Sequence, residues 1–258
     1  MRYSIFSVND HHPRFARTVA QLYGQVMKQC ELAEKLGYDT FFCAEHHFHE
    51  YGAVPDPAVM LSALVQRLMA GETLSWRGRF SKSEKAVLNV LPHEGRVPPV
   101  YVAVLAREAA YHVGRQANRI FTVPYASCKD FDGIGNMLVE YRKGRAEAGL
   151  PADDDDHVFT LHTHVARSDE EAKAQCKEAY DLYVDTRLYA KKHLYEDIIA
   201  NGICLFGSVD TVAAKLRRLH RMGMRHVATL HNFGALAPEQ VESSMTLFAR
   251  DVMEKLHD

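Results

Sequence analysis

The densest group of proton-transferring side chains is Glu45-His46-His47, a carboxylate followed by two imidazoles. The apolar run Thr40–Ala44 comes immediately before it and has the length and composition of a buried strand. A histidine can hold or release a proton near neutral pH, and a neighbouring carboxylate can fix its tautomer. The sequence therefore predicts an acid–base site at the C-terminal end of a strand. The alternative is that these histidines only satisfy hydrogen bonds of a loop.

A second candidate site is the turn that follows the predicted strand Val100–Val104. Leu105, Ala106 and Arg107 lead there into a predicted helix, Glu108–Gln116. Such a turn presents free backbone N–H groups and the positive end of the helix dipole to an anion. Arg107 could add a charge-assisted contact. The alternative is an ordinary surface arginine in a strand-to-helix loop.

Further histidines lie on the predicted strand Val158–Val165 and in the loop after the first strand. His162 and His164 share one face of their strand, because side chains alternate along a strand. Facing inward they could line a pocket, and facing outward they would be routine surface histidines. His11 and His12 could gate a substrate or simply be solvated.

Alternating strand and helix segments position these candidates, and this alternation indicates parallel strands with crossover helices. The predicted strands are Tyr3–Val8, Thr40–Ala44, Val100–Val104, Arg119–Val123, Val158–Val165 and His226–Leu230. The main predicted helices are Val19–Leu36, Glu108–Gln116, Phe131–Ala148, Asp169–Tyr189, Ser208–Met222 and Pro238–Leu256. Ser208 has the residue type of an N-cap, and Gly37 and Gly223 lie where helix C-caps are expected. The stretch Gly71–Ser83, with Trp76 and Arg79, is predicted to be loop or cover.

The fold class predicted from this order is α/β, a single (β/α)8 TIM barrel domain over residues 1–258. A closed barrel has eight strands, and six are visible. The pattern breaks off between Leu68 and Met69, so we expect about two strand–helix units of roughly 30–40 residues each to be missing there. Either a segment is omitted from the sequence, or a true deletion leaves an open, shortened barrel.

The composition is that of a globular protein without a strong charge. The chain has 258 residues, 47% hydrophobic and 25% charged, and a formal net charge of −2. This charge gives no support for binding to nucleic acid or to an anionic membrane, so a small-molecule ligand is favoured. Five cysteines without CxxC spacing and no signal-like N-terminus predict a soluble, cytoplasmic protein.

Four motifs in the right order resemble the bacterial luciferase-like flavin-dependent monooxygenase family. The likeness extends over nearly the whole chain apart from the break at 68/69. The motifs are Leu36–Thr40 with Glu45-His46-His47-Phe48 and Glu50-Tyr51-Gly52, then Pro99–Ala103, then Phe206–Asp210, and last Ser243–Phe248 with Asp251-Val252-Met253.

The resemblance implies an enzyme that uses reduced FMN and dioxygen to oxidise a small organic substrate through a flavin peroxide. By position, His46 matches the family's catalytic histidine, a base or proton donor, with His47 second and Glu45 as an orienting partner. The chemistry needs a dry pocket. Its expected walls, which could equally be plain packing residues, are Phe6, Phe48, Tyr51, Tyr125 and His162.

The flavin phosphate is expected at the turn Val104–Arg107. Here the sequence departs from the family, which has a glutamate and a hydroxyl residue about where Leu105 and Ala106 stand. The phosphate contacts would then be made by the backbone alone or elsewhere. Other phosphate ligands of the family would lie in the segment expected to be missing.

Partners and rival functions follow from the same residues. No GxGxxG fingerprint follows a strand, so a separate flavin reductase should supply reduced FMN. The resemblance also implies homodimers packed through early barrel helices. A metal-dependent hydrolase is disfavoured, because Tyr3–Val8 lacks a His-x-His pair and no HExxH motif is present. A non-catalytic flavin-binding relative and a deazaflavin-dependent oxidoreductase on the same fold remain open.

Overall fold

The computed structural model describes residues 1–10, 17–44, 71–77, 82–87, 101–151, 157–187 and 192–256. These residues belong to two compact units. The larger unit is Met1–Pro55 with Val102–Asp258, and the smaller is Asp56–Tyr101. No helix within the described ranges is both long enough and apolar enough to cross a lipid bilayer.

The described strands and helices alternate along most of the chain. The strands are β1 Arg2–Ser7, β2 Phe41–Cys43, β3 Leu74–Arg77, β4 Lys82–Ala86, β5 Tyr101–Ala103, β6 Arg119–Thr122, β7 His157–Ala166, β8 Leu205–Ser208 and β9 His226–Leu230. The helices are α1 Val19–Lys35, α2 Arg107–Arg115, α3 Pro124–Ser127, α4 Phe131–Glu147, α5 Asp169–Asp185, α6 Tyr195–Asn201, α7 Val209–Arg221 and α8 Pro238–Leu247.

Six strands form one sheet in the order β2-β1-β9-β7-β6-β5, and β8 pairs with the C-terminal half of β7. The strands from β2 to β6 in this order pair in parallel. All six strands predicted from the sequence are present, with ends shifted by at most one residue. The strands are apolar on both faces because helices cover one face and the sheet curls around the other, as in parallel sheets generally. The α/β class is confirmed.

The sheet curls so that one face is concave. Phe6 of β1 and Phe121 of β6 have ring centroids 5.1 Å apart, although two other strands lie between β1 and β6. In a flat sheet three strand spacings would separate them by about 14 Å. The sheet therefore has the curvature of part of a barrel. The predicted missing units at Leu68–Met69 lie outside the described residues, so they stay a prediction.

The convex face carries the main core, covered by the C-terminal helix and the turn after it. The ring of Phe248 packs 5.4 Å from Tyr3 and 6.1 Å from Tyr38. The Tyr38 hydroxyl donates to the Met245 carbonyl at 3.0 Å, and Ser244 Oγ accepts from Val165 N at 2.8 Å. Burying each such aromatic ring contributes about 1.5–3 kcal/mol, which fixes the C-terminal segment on the strands.

Helices α2 and α4 approach each other more closely than side chains would allow. A Cβ atom built on Gly144 would lie 2.1 Å from the Tyr111 carbonyl oxygen, and one on Gly114 would lie 2.3 Å from that of Tyr141. Glycine at both positions permits this contact, which holds α2 and the turn before it against α4.

Several predicted boundaries are wrong. The stretch Gly71–Ser83 contains β3 and the start of β4, an antiparallel pair in the smaller unit, where loop or cover was expected. Its strands are short and mostly polar, so no apolar period revealed them. The helix expected to reach Tyr189 ends at Asp185. The last helix is α-helical only to Leu247 and continues as a π-helical turn, Phe248–Val252, and a 3-10 turn, Glu254–Leu256.

Other local predictions are confirmed. Helix α1 begins after Thr18, whose side chain accepts from Gln21 N in a capping box. Ser208 caps α7 by accepting from Thr211 N. Gly37 and Gly223 adopt φ of +78° and +94° directly after α1 and α7, as helix-terminating glycines do. Strand β8 and the short helices α3 and α6 were not predicted.

Candidate active site

The concave face of the sheet is lined by aromatic side chains that remain half-buried. Register partners in a parallel pair face the same side, and Phe6 pairs with Phe42. Phe121 contacts both rings, at 5.1 Å from Phe6 and 5.4 Å from Phe42. All three are partly accessible, whereas the surrounding strand residues are mostly buried. The face therefore offers an apolar surface that a flat ring could cover.

Asn9 joins the C-terminal ends of β1 and β2. Its Oδ1 accepts from Ser7 Oγ at 2.9 Å, and its Nδ2 donates to the Ala44 carbonyl at 3.0 Å. Asn9 has φ +53°, a left-handed conformation that asparagine tolerates better than most residues. This bond holds Ala44, the residue that directly precedes Glu45 in the sequence.

A buried ion pair closes the same end of the larger unit. Nη2 of Arg187 lies 2.6 and 2.7 Å from the two carboxylate oxygens of Asp10, and the side chains are 1% and 4% exposed. The guanidinium also lies 4.1 Å from the ring centroid of Tyr183. Burial alone would lower the pKa of Arg187, but Tyr183 and Asp10 outweigh it and raise the pKa. Arg187 is therefore a permanent cation.

His162 is enclosed by aromatic rings next to this ion pair. Its ring centroid lies 4.6 Å from Tyr183, 5.1 Å from both Tyr125 and Tyr180, and 5.5 Å from Phe233. Neither ring nitrogen has a hydrogen-bond partner within the described ranges. Burial, reinforced by the charge of Arg187, lowers the pKa of His162 to about 3. The imidazole is neutral at any physiological pH.

The alternative that His162 and His164 are surface histidines is wrong. His162 is 1% exposed and His164 is 0% exposed. Nε2 of His164 lies 2.8 Å from Oε1 of Gln175 on α5. The sequence could not show this, because the strand is apolar enough on both faces to be fully buried. His162 pairs in register with Leu230 and lies on the concave side.

The predicted phosphate turn is an uncapped helix N-terminus. Ala106 is the N-cap of α2 and makes no side-chain cap hydrogen bond, so the first-turn N–H groups have no side-chain acceptor there. Val104 is 3% exposed and Leu105 is 56% exposed. The Arg107 guanidinium, 57% exposed, lies 4.0 Å from Glu108, at the limit of an ion pair. The turn fits an anion held mainly by backbone.

The remaining predicted site residues lie outside the described residues. They are Glu45, His46, His47, Phe48 and Tyr51, together with His11 and His12. Their roles stay predictions. Tyr125 is 2% exposed and Phe6 is half-buried on the concave face. Among the residues that the structure describes, no group of three His, Cys, Asp or Glu side chains could hold a metal ion.

Sequence reasoning missed Asn9, Phe42, Phe121 and the Asp10–Arg187 pair. An asparagine directly after a strand is a recognisable signal for a left-handed turn, and it could have pointed to Asn9. Nothing local marks the ion pair, because 177 residues separate its partners.

A parallel, curled α/β sheet with an aromatic concave face and polar strand ends defines a barrel-type small-molecule site. The Luciferase-like monooxygenase family model matches residues 1–67 and 63–226. The chain belongs to the luciferase-like monooxygenase family. The two matched segments meet at residues 63–67, next to the break expected at Leu68–Met69.

Individual relatives are distant. The uncharacterized protein y4wF of Sinorhizobium fredii (strain NBRC 101917 / NGR234) is 32% identical over 62 residues, which are 24% of this chain and 18% of that protein. The match to this curated relative therefore covers less than a fifth of its length.

Solved structures share the fold over almost their whole length. Monooxygenase RslO1 from Streptomyces bottropensis has a TM-score of 0.84 at 18% identity, covering 99% of this chain and 100% of that one. The oxygenating constituent of 3,6-diketocamphane monooxygenase from Pseudomonas putida, a type II Baeyer–Villiger enzyme in complex with FMN, has a TM-score of 0.76 at 15% identity, covering 99% and 98%. The coenzyme F420-dependent tetrahydromethanopterin reductase from Methanopyrus kandleri has a TM-score of 0.66 at 13% identity, covering 98% of each chain.

Proposed function

We propose that the chain is a flavin-dependent monooxygenase that uses reduced FMN and dioxygen, by the flavin-peroxide chemistry expected from the sequence, to oxidise a small organic substrate. The observation that carries the proposal is the concave face formed by Phe6, Phe42 and Phe121, which leads to the end of β2 at Ala44. A half-buried aromatic surface suits a flat isoalloxazine ring, since aromatic rings stack and exclude water. The next residues after Ala44 are Glu45-His46-His47.

The phosphate of FMN would lie at Val104–Arg107, where the uncapped N-terminus of α2 offers free N–H groups. Arg107 is exposed and only weakly paired, so it is available for a charge-assisted contact. Bound reduced FMN would supply the electrons that activate dioxygen. The chain's own residues would hold it, keep water away and move protons.

Proton transfer would fall to His46, with His47 second and Glu45 fixing the tautomer. Asn9 supports this assignment, because its bond to the Ala44 carbonyl holds the residue that precedes that segment. Phe6, Phe48, Tyr51, Tyr125 and His162 would form the substrate walls. The neutral His162 could act there only as a hydrogen-bond donor or acceptor, since the pKa of about 3 keeps it uncharged.

Two alternatives remain within the same family. A deazaflavin cofactor in place of FMN is supported by the similarity of the fold to a coenzyme F420-dependent reductase. A non-catalytic flavin-binding protein becomes the better interpretation if the break at Leu68–Met69 is a true deletion. A separate flavin reductase, a homodimer and a cytoplasmic location also stay predictions.

A cofactor titration with three arms separates these functions. The purified chain is titrated anaerobically with reduced FMN and with a reduced deazaflavin, and oxygen uptake is then followed after aeration with a panel of aldehydes, ketones and aromatics. We expect tight binding of reduced FMN and substrate-dependent oxygen uptake. Binding and turnover with the deazaflavin alone would establish the second function. FMN binding without turnover on any substrate would establish the third.

His46→Ala tests the assigned base. It should leave FMN affinity within about twofold and lower substrate-dependent oxygen uptake by about 10²–10⁴, the range for a lost acid–base group. His112→Ala, at an exposed position on α2, is the matched control and should change neither quantity. Unchanged turnover in His46→Ala would remove His46 from the mechanism.

A further inference from the structure

A cavity of about 220 Å³ lies at the N-terminal end of β1, the end of that strand opposite Asn9 and Ala44. We call it the basal cavity. It is half open to solvent and is lined by the start of β1, by helix α7 and by the 3-10 turn Glu254–Leu256. The proposed active site does not use any of these residues, so the basal cavity is a separate feature of the fold.

One part of the basal cavity is apolar. Tyr3, Leu216 and Leu256 contribute to its wall. Tyr3 is 4% exposed and Leu216 is 0% exposed, and the Tyr3 ring packs edge-to-face on Phe248 at 5.4 Å. The Tyr3 hydroxyl is buried without a hydrogen-bond partner in the described part of the chain. A buried hydroxyl without a partner costs free energy, so a ligand atom that could bond to it would be stabilising.

The other part of the wall is basic. Arg217, His220, Arg221 and Lys255 line it, and none of the acidic residues that the structure describes does. Arg217 donates to the Lys255 carbonyl at 2.9 Å, and Lys255 pairs with Asp210 at 2.5 Å. These two contacts fix the rim of the cavity.

Arg221 also lies on this rim. Its side chain makes no ion pair or hydrogen bond to any other described residue, and it is exposed. Burial and then the charge of Arg225 lower the pKa of His220, as expected where positive charge accumulates. Basic residues in the last turn of a helix also interact with the helix dipole. The helix dipole explains why basic residues are found here. It does not explain the cavity or the buried Tyr3 hydroxyl.

We propose that the basal cavity binds a small organic carboxylate, with its apolar body against Tyr3, Leu216 and Leu256 and its head group bonded by Arg221 and the Tyr3 hydroxyl. A carboxylate has two oxygens and about four acceptor positions, enough for a guanidinium and a hydroxyl together. The net positive charge of the rim favours an anionic ligand over a neutral one. The small volume limits the body to a few carbon atoms.

Isothermal titration calorimetry of the full chain with hexanoate tests the proposal. For a ligand of this size we expect a Kd on the order of 1 mM or tighter. Acetate lacks the apolar body and hexan-1-ol lacks the charge, so each should bind at least about fivefold more weakly. Flavin is left out, so the result does not depend on the proposed monooxygenase activity.

Two variants place the ligand. Arg221→Gln and Tyr3→Phe should each weaken hexanoate binding by about tenfold or more, the effect of losing one bond to a charged group. Tyr3→Phe should leave the thermal midpoint unchanged or higher, because its hydroxyl has no partner to lose. Arg115→Gln, in the last turn of α2, is the control and should bind like the parent. The proposal is overturned if hexanoate does not bind or if hexan-1-ol binds with equal affinity. It is also overturned if either variant binds hexanoate as tightly as the parent chain.

Discussion

Replacing Arg187 with methionine should destabilise the protein severely, because it removes the cation that is bonded to the buried Asp10 carboxylate. The Arg187 and Asp10 side chains are 1% and 4% exposed, and Nη2 lies within 2.7 Å of both carboxylate oxygens. Asp10 follows β1 and Arg187 follows α5. The pair therefore ties two distant parts of the chain together at the proposed active end of the sheet.

The size of the effect follows from burial. Removing one partner of a buried, hydrogen-bonded ion pair costs about 3–5 kcal/mol, against a total stability of about 5–15 kcal/mol for a typical domain. For a chain of this length each kcal/mol lowers the thermal midpoint by about 2–4 °C. Arg187→Met should therefore lower the midpoint by about 6–20 °C. Loss of the stacking contact with Tyr183 acts in the same direction.

Thermal and urea unfolding followed by circular dichroism measures this loss. Lys192→Met is the control, because Lys192 and Asp185 form an exposed pair at 60% and 63% side-chain exposure. Breaking it should cost less than about 1 kcal/mol. The double variant Asp10→Leu/Arg187→Met should be more stable than Arg187→Met, since it removes the buried carboxylate together with its bonded cation. An Arg187→Met variant as stable as Lys192→Met would refute the reasoning.

Three further predictions concern acid, helix packing and the strand ends. Burial lowers the pKa of three histidines to about 3, so they stay neutral in the folded chain and take up protons only on unfolding. The stability that their neutral form contributes is fully present above pH 6.5 and is lost as the pH falls towards 3, by about 1.4 kcal/mol per histidine per pH unit. Urea unfolding at several pH values measures this loss; the histidines are His157, His162 and His231. Gly144→Ala should destabilise by about 1–3 kcal/mol through its clash with the Tyr111 carbonyl, whereas Gly24→Ala, with open space around it, should stabilise by up to about 1 kcal/mol. Asn9→Ala should cost about 1–3 kcal/mol and lower oxygen uptake, and an active, equally stable Asn9→Ala would show that Asn9 does not position the β2 end.

The strands and most helices could be predicted because buried parallel strands are short apolar runs with clear turn signals between them. Strand β7 is buried along all ten residues, so its position was evident while the orientation of His162 was not. Two-sided burial removes the alternation that tells one face from the other. The π-helical turn at Phe248 could not be predicted from the sequence, because it leaves the apolar pattern of the last helix nearly unchanged.

The site was predictable only where chemistry is local in sequence. The strand-to-helix turn Val104–Arg107 could be predicted because a strand end and a helix start are adjacent along the chain, and its role as a phosphate site stays a prediction. The aromatic concave face was not, because Phe6, Phe42 and Phe121 come together only when the sheet curls. The hairpin of β3 and β4 was missed for a different reason, since its strands are polar and lack a buried face in their sequence pattern.

Isotope labelling tests the central claim most directly. The chain is supplied with reduced FMN, ¹⁸O₂ and a panel of aldehydes, ketones and aromatics, and the products are analysed by mass spectrometry. A luciferase-like monooxygenase should place one ¹⁸O atom in the product of at least one substrate, and His46→Ala should lower the labelled yield by about 10²–10⁴. A product without label, or labelled product in equal yield from His46→Ala, would contradict the proposed function.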